Sequence, residues 1–283
     1  MNRQRALPRV ATMQALACYG RCSLTIALPV LSCAGVEACP MPTALLSAHT
    51  GFDGVAKTDL GPQMESIAAH WRAMELEFDL IYIGYLGSSA KIDFAARFLD
   101  AFAGPDTAVL VDPVMGDNGR LYRGFDRAYA DSLRALCARA DVILPNLTEA
   151  ALLLGEEYAE NYDKEYVEGL LLRLADIGAG TAVLTGVRPS ANEIGAAVFE
   201  RAVNRAHYAF SACVEGSFHG TGDLFASVLA GGLAKGLPVA RAVRAAVEFT
   251  VRCIEHTHAL GAPEQGGVLF EPCLGALSDL LRG

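Results

Sequence analysis

The chain has 283 residues, 52% of them hydrophobic and 8% aromatic, which is enough apolar material for one large core or one core with a small appendage. Its formal net charge is −9, and no basic run exceeds two residues, which argues against nucleic acid or an anionic membrane as a partner. An anionic ligand would therefore have to be held by local geometry, such as helix N-termini and a divalent cation.

Strand-like and helix-like segments alternate along the chain. Val10–Ala17 reads as a strand, followed by a Tyr19-Gly20 turn. Ser23 is then placed to cap a helix carrying Leu24, Ile26, Ala27, Val30 and Leu31. Val36–Ser47 is extended, and Pro40 and Pro42 predict an edge or irregular strand because proline cannot donate to a ladder. Gln63–Glu77 is amphipathic, Leu80–Leu86 has a buried-strand pattern, and Ile92–Phe102 returns as helix. The series repeats with strand at Ala108–Val114, helix at Phe125–Arg139, strand at Val142–Leu144 and helix at Thr148–Leu154. Tyr166–Ile177 is helical, Ala182–Leu184 is a strand, and Val198–Glu200 with His207–Phe210 reads as a late hairpin. Leu224–Leu233, Val239–His256 and a segment from Cys273 are helical. Continuous apolar strands spaced by helices predict an α/β fold, a mostly parallel central sheet with helices on both faces. No linker or repeat interrupts the pattern, so residues 1–283 read as one domain.

The eight cysteines, at 18, 22, 33, 39, 137, 213, 253 and 273, show no Cys-x-x-Cys spacing. Most sit in apolar runs, which predicts reduced buried thiols in a cytosolic, cytoplasmic protein and no zinc site. Arg3, Arg5 and Arg9 precede an apolar run from Leu24 to Gly35 that loosely imitates a secretion signal. That run starts late, contains Pro29 and is too short to cross a bilayer, so neither a leader nor a membrane span is expected.

In open parallel sheets, ligands bind beyond the carboxyl ends of the strands, and the polar motifs cluster there. Gly220-Thr221-Gly222-Asp223 runs into a helical pattern. Two glycines and a threonine at a helix start leave N–H donors bare for an anion such as phosphate, with Asp223 as a carboxylate beside it. A plain capped helix start is the other reading of the same four residues. Asp112-Pro113-Val114-Met115-Gly116-Asp117-Asn118-Gly119 closes an apolar strand, and Asp112 there needs a cation, an amide or another partner. Pro145-Asn146-Leu147-Thr148-Glu149 is a helix start in which Asn146 caps and Glu149 completes a capping box, a role compatible with holding magnesium. His49-Thr50 and Gly84-Tyr85-Leu86-Gly87-Ser88 end two earlier strands, and Tyr85 is either an ordinary aromatic or a platform for a planar ring. His219 adjoins the anion site, but Asp223 is the better-placed base. Residues 116–124 read as either a cover or a surface turn. The Walker-type phosphate loop is absent.

Together with Gly20-Arg21-Cys22-Ser23-Leu24-Thr25 and Pro42–Thr50, these motifs resemble the pyridoxal kinase branch of the ribokinase superfamily, in the family's order from about residue 10 to about 260. The resemblance implies a ribokinase-like three-layer sandwich and ATP-dependent phosphorylation of the 5′-hydroxymethyl group of pyridoxal, pyridoxine or pyridoxamine. It implies Asp223 as base, with the amides of Gly220, Thr221 and Gly222 stabilising the phosphoryl charge. Asp112, Asp117 and Glu149 would manage Mg2+ and the ATP phosphates, Asp112 and Glu149 as metal residues. Asn146 and Thr185 would face the nucleotide, while Thr50 and Tyr85 contact the pyridine. A homodimer and a monovalent cation are further expectations. In the family the first strand ends in a polar Ser or Asp, whereas this chain reads Ala15-Leu16-Ala17-Cys18. The alternatives are a kinase of a hydroxymethylpyrimidine, or a catalytically weak relative that binds a B6 compound or nucleotide.

Overall fold

The computed structural model describes residues 6–178, 180–216, 218–262 and 264–282. Arg3, Arg5 and Ser217 lie outside them.

A nine-stranded sheet runs through the molecule in the order β11 (Arg205–Ala212), β10 (Glu193–Glu200), β9 (Thr181–Ser190), β8 (Val142–Ile143), β5 (Ala108–Val111), β4 (Leu80–Ile83), β1 (Arg9–Ala17), β2 (Glu37–Leu46), β3 (Lys57–Asp59). Its centre is built from β1, β2, β4, β5, β8 and β9, all paired in parallel. The edges are antiparallel. On one side β10 and β11 fold back as hairpins, and on the other β3 covers the end of β2. The central strands are short and almost wholly buried, as expected for parallel strands covered on both faces.

Two helical layers cover the sheet. One face carries α2 (Gly61–Ala73), α3 (Ser89–Phe102), α4 (Arg127–Cys137), α5 (Leu147–Leu154) and α6 (Lys164–Ala175) over a core that includes Met13, Phe98, Leu133 and Leu170. The other carries α1 (Leu24–Cys33), α7 (Thr221–Ala234), α8 (Val239–Ala259) and α9 (Leu274–Leu280) over Leu31, Tyr82, Leu229 and Phe249. This is the predicted three-layer α/β sandwich.

Of the two readings of the segment with Pro40 and Pro42, the structure bears out the irregular strand rather than the edge: β2 lies between β1 and β3. Yet β3 pairs only with Ala44–Leu46, so the outer side of β2 is unpaired at both prolines, and the β1–β2 register shifts after Gln14. Residues 116–124 include a small hairpin, β6 (Gly116–Asp117) with β7 (Arg120–Leu121), that stands apart from the main sheet.

Among the described residues no helix is long and apolar enough to cross a membrane, and all eight cysteines are free thiols.

Candidate active site

The site is assembled where β1, β4, β5 and β8 end, beside the middle of β9. α7 starts directly after Gly220, which adopts a left-handed conformation at φ 84°. A Cβ there would stand 2.3 Å from the carbonyl oxygen of Arg21 and 2.9 Å from Ile26 Cδ1, so both the dihedral and the space demand glycine. Gly222 is exposed, with open space where a side chain would be. Among the described residues no side chain caps this helix start, so its first amides and the positive end of the helix dipole are open to an anion.

Asp223 sits half-buried in that first turn. Burial pushes its carboxyl up to about 6, opposed by a hydrogen bond from the Ser23 backbone amide. The Ser227 hydroxyl, fully buried one turn on, donates to the Asp223 carbonyl at 2.6 Å. The role of Ser23 departs from the sequence expectation. It occupies the position before α1, but its side chain makes no capping bond and its φ is 48°. Thr25 serves the turn instead: its hydroxyl accepts from the Cys22 amide at 3.2 Å and donates to the Cys22 carbonyl at 2.7 Å. The Ser23 amide is thereby free to hold the Asp223 carboxylate. Burial and Asp223 push the neighbouring Cys22 thiol up to about 12, so it remains neutral.

Asp112 follows the last residue of β5. Strand register aligns Thr12, Tyr82 and Leu110 across β1, β4 and β5, so Gln14, Gly84 and Asp112 form the next row towards the carboxyl ends. The missing side chain of Gly84 leaves room for Gln14, whose Cγ would lie 3.0 Å from a Cβ there. Asp112 is buried, and no hydrogen bond from the described residues reaches its carboxylate. Desolvation pushes its carboxyl well above the usual range, reinforced by the charges of Glu149 and Asp223.

Glu149 opens α5, and the predicted capping box is present. Asn146 Oδ1 accepts the Glu149 amide at 2.9 Å, and Glu149 Oε2 accepts the Asn146 amide at 3.0 Å. Its other oxygen accepts the Met115 amide at 3.0 Å, and Asn146 Nδ2 donates to the Gly116 carbonyl at 2.9 Å. The start of α5 therefore holds the loop that follows Asp112. Burial pushes the Glu149 carboxyl up to about 8 against the amides of Asn146, Met115 and Gly116, which favour its charged form. Asp112, Glu149 and Asp223 thus form one electrostatic cluster of buried or half-buried acids.

The remaining predicted positions surround this cluster. Asn146, just beyond β8, and Thr185, in the middle of β9 and not, as expected, at a strand end, meet as an isolated parallel bridge, and Thr185 donates its amide to the Pro145 carbonyl at 3.0 Å. Asp117 is exposed and accepts from the Asn118 amide at 2.8 Å and from Asn118 Nδ2 at 3.2 Å. Tyr85 is half-buried, tethered through its carbonyl by the Thr43 hydroxyl at 3.1 Å, with its ring 6.0 Å from Phe125. It packs beside a separate small apolar cluster of Ala15, Ala17, Cys22, Ala44 and Leu46. Thr50 is exposed, next to buried His49. The pattern missed Ser23 as an amide donor and His49 as a buried anchor, because both act through contacts with distant segments.

Residues 10–268 match the phosphomethylpyrimidine kinase family. A crystal structure of a Bacteroides thetaiotaomicron protein named as a phosphomethylpyrimidine kinase superposes with a TM-score of 0.94 at 36% identity, covering 98% of this chain and 96% of the other. A second crystal form of that protein, with pyridoxal, gives a TM-score of 0.92, also at 36% identity and with 96% of each chain covered. Pyridoxal kinase from Lactobacillus plantarum superposes with a TM-score of 0.89 at 36% identity, covering 97% of this chain and 98% of that one. By sequence, pyridoxine/pyridoxal/pyridoxamine kinase of Bordetella bronchiseptica is 27% identical over 276 residues, covering 90% of this chain and 91% of the relative.

Proposed function

Because the chain belongs to the phosphomethylpyrimidine kinase family and is a phosphotransferase of that kind, we propose that it moves the γ-phosphoryl group of ATP to the 5′-hydroxymethyl group of pyridoxal, pyridoxine or pyridoxamine. The observation that carries this reading is Asp223, a carboxylate held by the Ser23 amide in the first turn of a helix whose start is left uncapped for an anion. A carboxyl brought up to about 6 is still mostly ionised at neutral pH and is a stronger base than an ordinary aspartate. An alcohol is far less acidic, so Asp223 takes the proton as the oxygen–phosphorus bond forms, not before. Most of the acceleration then comes from holding acceptor and phosphoryl group in line and from the amides at the start of α7.

The acid cluster fits a magnesium ion shared with ATP. Among the described residues no three His, Cys, Asp or Glu side chains converge as a closed metal cage. Magnesium bound with nucleotide asks for less, typically one or two carboxylates with phosphate oxygens and water. Asp112 has a buried carboxylate that no donor among the described residues reaches, so it is the group free to face the ion. Both Glu149 oxygens already accept backbone amides, which favours a second contact through water. Bound there, the ion would offset charge on the β- and γ-phosphates.

For the acceptor, Tyr85 offers a ring face beside the apolar cluster containing Ala15 and Ala17. The Bacteroides protein that binds pyridoxal and the Lactobacillus pyridoxal kinase, each 36% identical, support a B6 vitamer. The alternative acceptor is a hydroxymethylpyrimidine, favoured by the family to which the chain belongs and by the alanines where a polar contact to the pyridine is expected. Asp223 on its conditioned helix start supports catalysis over mere binding. The proposal extends to one domain over residues 1–283, working as a cytoplasmic homodimer with a monovalent cation. Incubation with ATP and magnesium against the three vitamers and hydroxymethylpyrimidine, reading ADP, tests the chemistry. Release no greater than without acceptor would overturn it.

A further inference from the structure

His49 and His219 are 170 positions apart, yet their rings stack with centroids 3.9 Å apart and planes 19° from parallel. Nothing in the phosphoryl-transfer chemistry uses either ring. His49 stands just before Thr50 in the loop after β2, and His219 stands just before Gly220 at the anion-binding helix start.

His49 is buried and held from several sides. The Phe52 ring is tilted against it with centroids 4.6 Å apart. Nδ1 accepts the Gly51 amide at 3.1 Å, and Nε2 lies 2.8 Å from the Gln265 carbonyl oxygen. An amide only donates and a carbonyl only accepts, so Nδ1 carries the lone pair and Nε2 the proton. The ring also fills the space beside Gly20, where a Cβ would meet His49 Cδ2 at 2.3 Å. His219 is held from the same C-terminal segment, since the Val268 amide donates to its carbonyl at 3.0 Å. Burial and His49 hold the His219 ring down to about 4, so the stack carries no charge on that side at neutral pH. Arg21, whose carbonyl abuts Gly220, is clamped by both Glu271 oxygens and by the Gly266 carbonyl.

We propose that His49 is a positioning residue: through its stack on His219 it fixes the Gly220–Gly222 amides in the geometry that receives the transferred phosphoryl group, coupling the acceptor loop to the phosphoryl loop. This rests on the reading of Gly220–Asp223 as the phosphoryl site, but not on which acceptor is used. A ring clamped at both nitrogens has one orientation, so whatever rests on it has one as well. Movement of the Thr50 loop is then felt at the start of α7.

The test is independent of acceptor. Affinity for ADP with magnesium is compared with affinity for ADP, magnesium and aluminium fluoride, a mimic of the transferring group, in wild type and in His49→Ala, His219→Ala and His219→Phe. His49→Ala and His219→Ala are expected to weaken the fluoride-trapped complex by about tenfold while plain ADP changes by less than about twofold, the size of a typical coupling between sites. The double variant should lose no more than either single one, and His219→Phe, which keeps a ring for the stack, should recover most of the loss. Equal weakening of both complexes would mark a general structural role and overturn the proposal. So would additive losses, or a His219→Phe loss as deep as that of His219→Ala. Trapping in wild type that works while no acceptor is phosphorylated would count against the B6 reading and leave this coupling measurable.

Discussion

The carboxylate of Glu149 accepts the Met115 amide with one oxygen and the Asn146 amide with the other, each at 3.0 Å. One side chain therefore closes the helix cap of α5 and pins the loop that carries Asp112 into the site. Glu149→Ala removes a cap and leaves two buried amides unpaired, which should lower unfolding stability by about 2–4 kcal/mol. Chemical denaturation of the purified variant reads this. A midpoint equal to wild type would mean that the loop is held by other contacts.

Asp223→Asn keeps the size of the side chain and removes the proposed base. Turnover should fall by roughly two orders of magnitude or more, the usual loss for general-base catalysis, with ATP affinity changed far less. Turnover close to wild type would remove Asp223 from that role.

The pH dependence has two parts with a definite sign. Asp223 must be ionised to accept a proton, so kcat/KM for the acceptor should fall as pH drops through about 6. Stability runs the other way. Asp112, Glu149 and Asp223 all have carboxyls raised by burial, the latter two to about 8 and about 6. The folded state therefore holds protons that the unfolded chain has released. The cluster's contribution is fully present below about pH 4 and is lost as pH rises towards 8. Magnesium with ADP offsets those charges, so its thermal stabilisation should be larger at about pH 8 than at about pH 5.5. Equal shifts at the two pH values would contradict a cation at this cluster.

Gly220→Ala sets a Cβ against the Arg21 carbonyl at 2.3 Å with φ at 84°, so the helix start has to move. Turnover should drop by at least about tenfold through loss of aligned amides. Gly275→Ala is the matched control, because nothing lies within 4 Å of its added methyl and α9 gains a better helix former. Comparable losses from both would show that the effect at 220 is not local to the anion site.

The layered α/β plan was legible because strands such as Leu80–Ile83 and Ala108–Val111 are unbroken apolar runs between amphipathic helices. The capping box was legible because Asn146 and Glu149 lie three residues apart and act on each other. β3 and the β6–β7 hairpin were not, since strands of two or three residues carry no periodicity. Ser23 read as a cap from local order alone, while its amide is in fact committed to a carboxylate 200 positions away. The His49–His219 stack is invisible for the same reason: only the fold brings the ends of β2 and the start of α7 together.

Ala15 and Ala17 are buried in the small cluster beside Tyr85, so under the proposed B6 reading a pyridine would meet an apolar floor where a polar residue was expected. Ala15→Ser restores a hydroxyl there and should lower KM for pyridoxal more than for a vitamer analogue lacking the ring hydroxyl, by up to about tenfold for one gained hydrogen bond. An equal change in KM for both compounds would mean that residue 15 does not face that group.

Phosphorylation of a B6 vitamer is read most directly from product formation. With ATP, magnesium and pyridoxal, the purified protein should yield pyridoxal 5′-phosphate and ADP in equal amounts, with a higher kcat/KM than for hydroxymethylpyrimidine. Phosphorylation of the pyrimidine alone, or no phosphorylated vitamer at all, would contradict it.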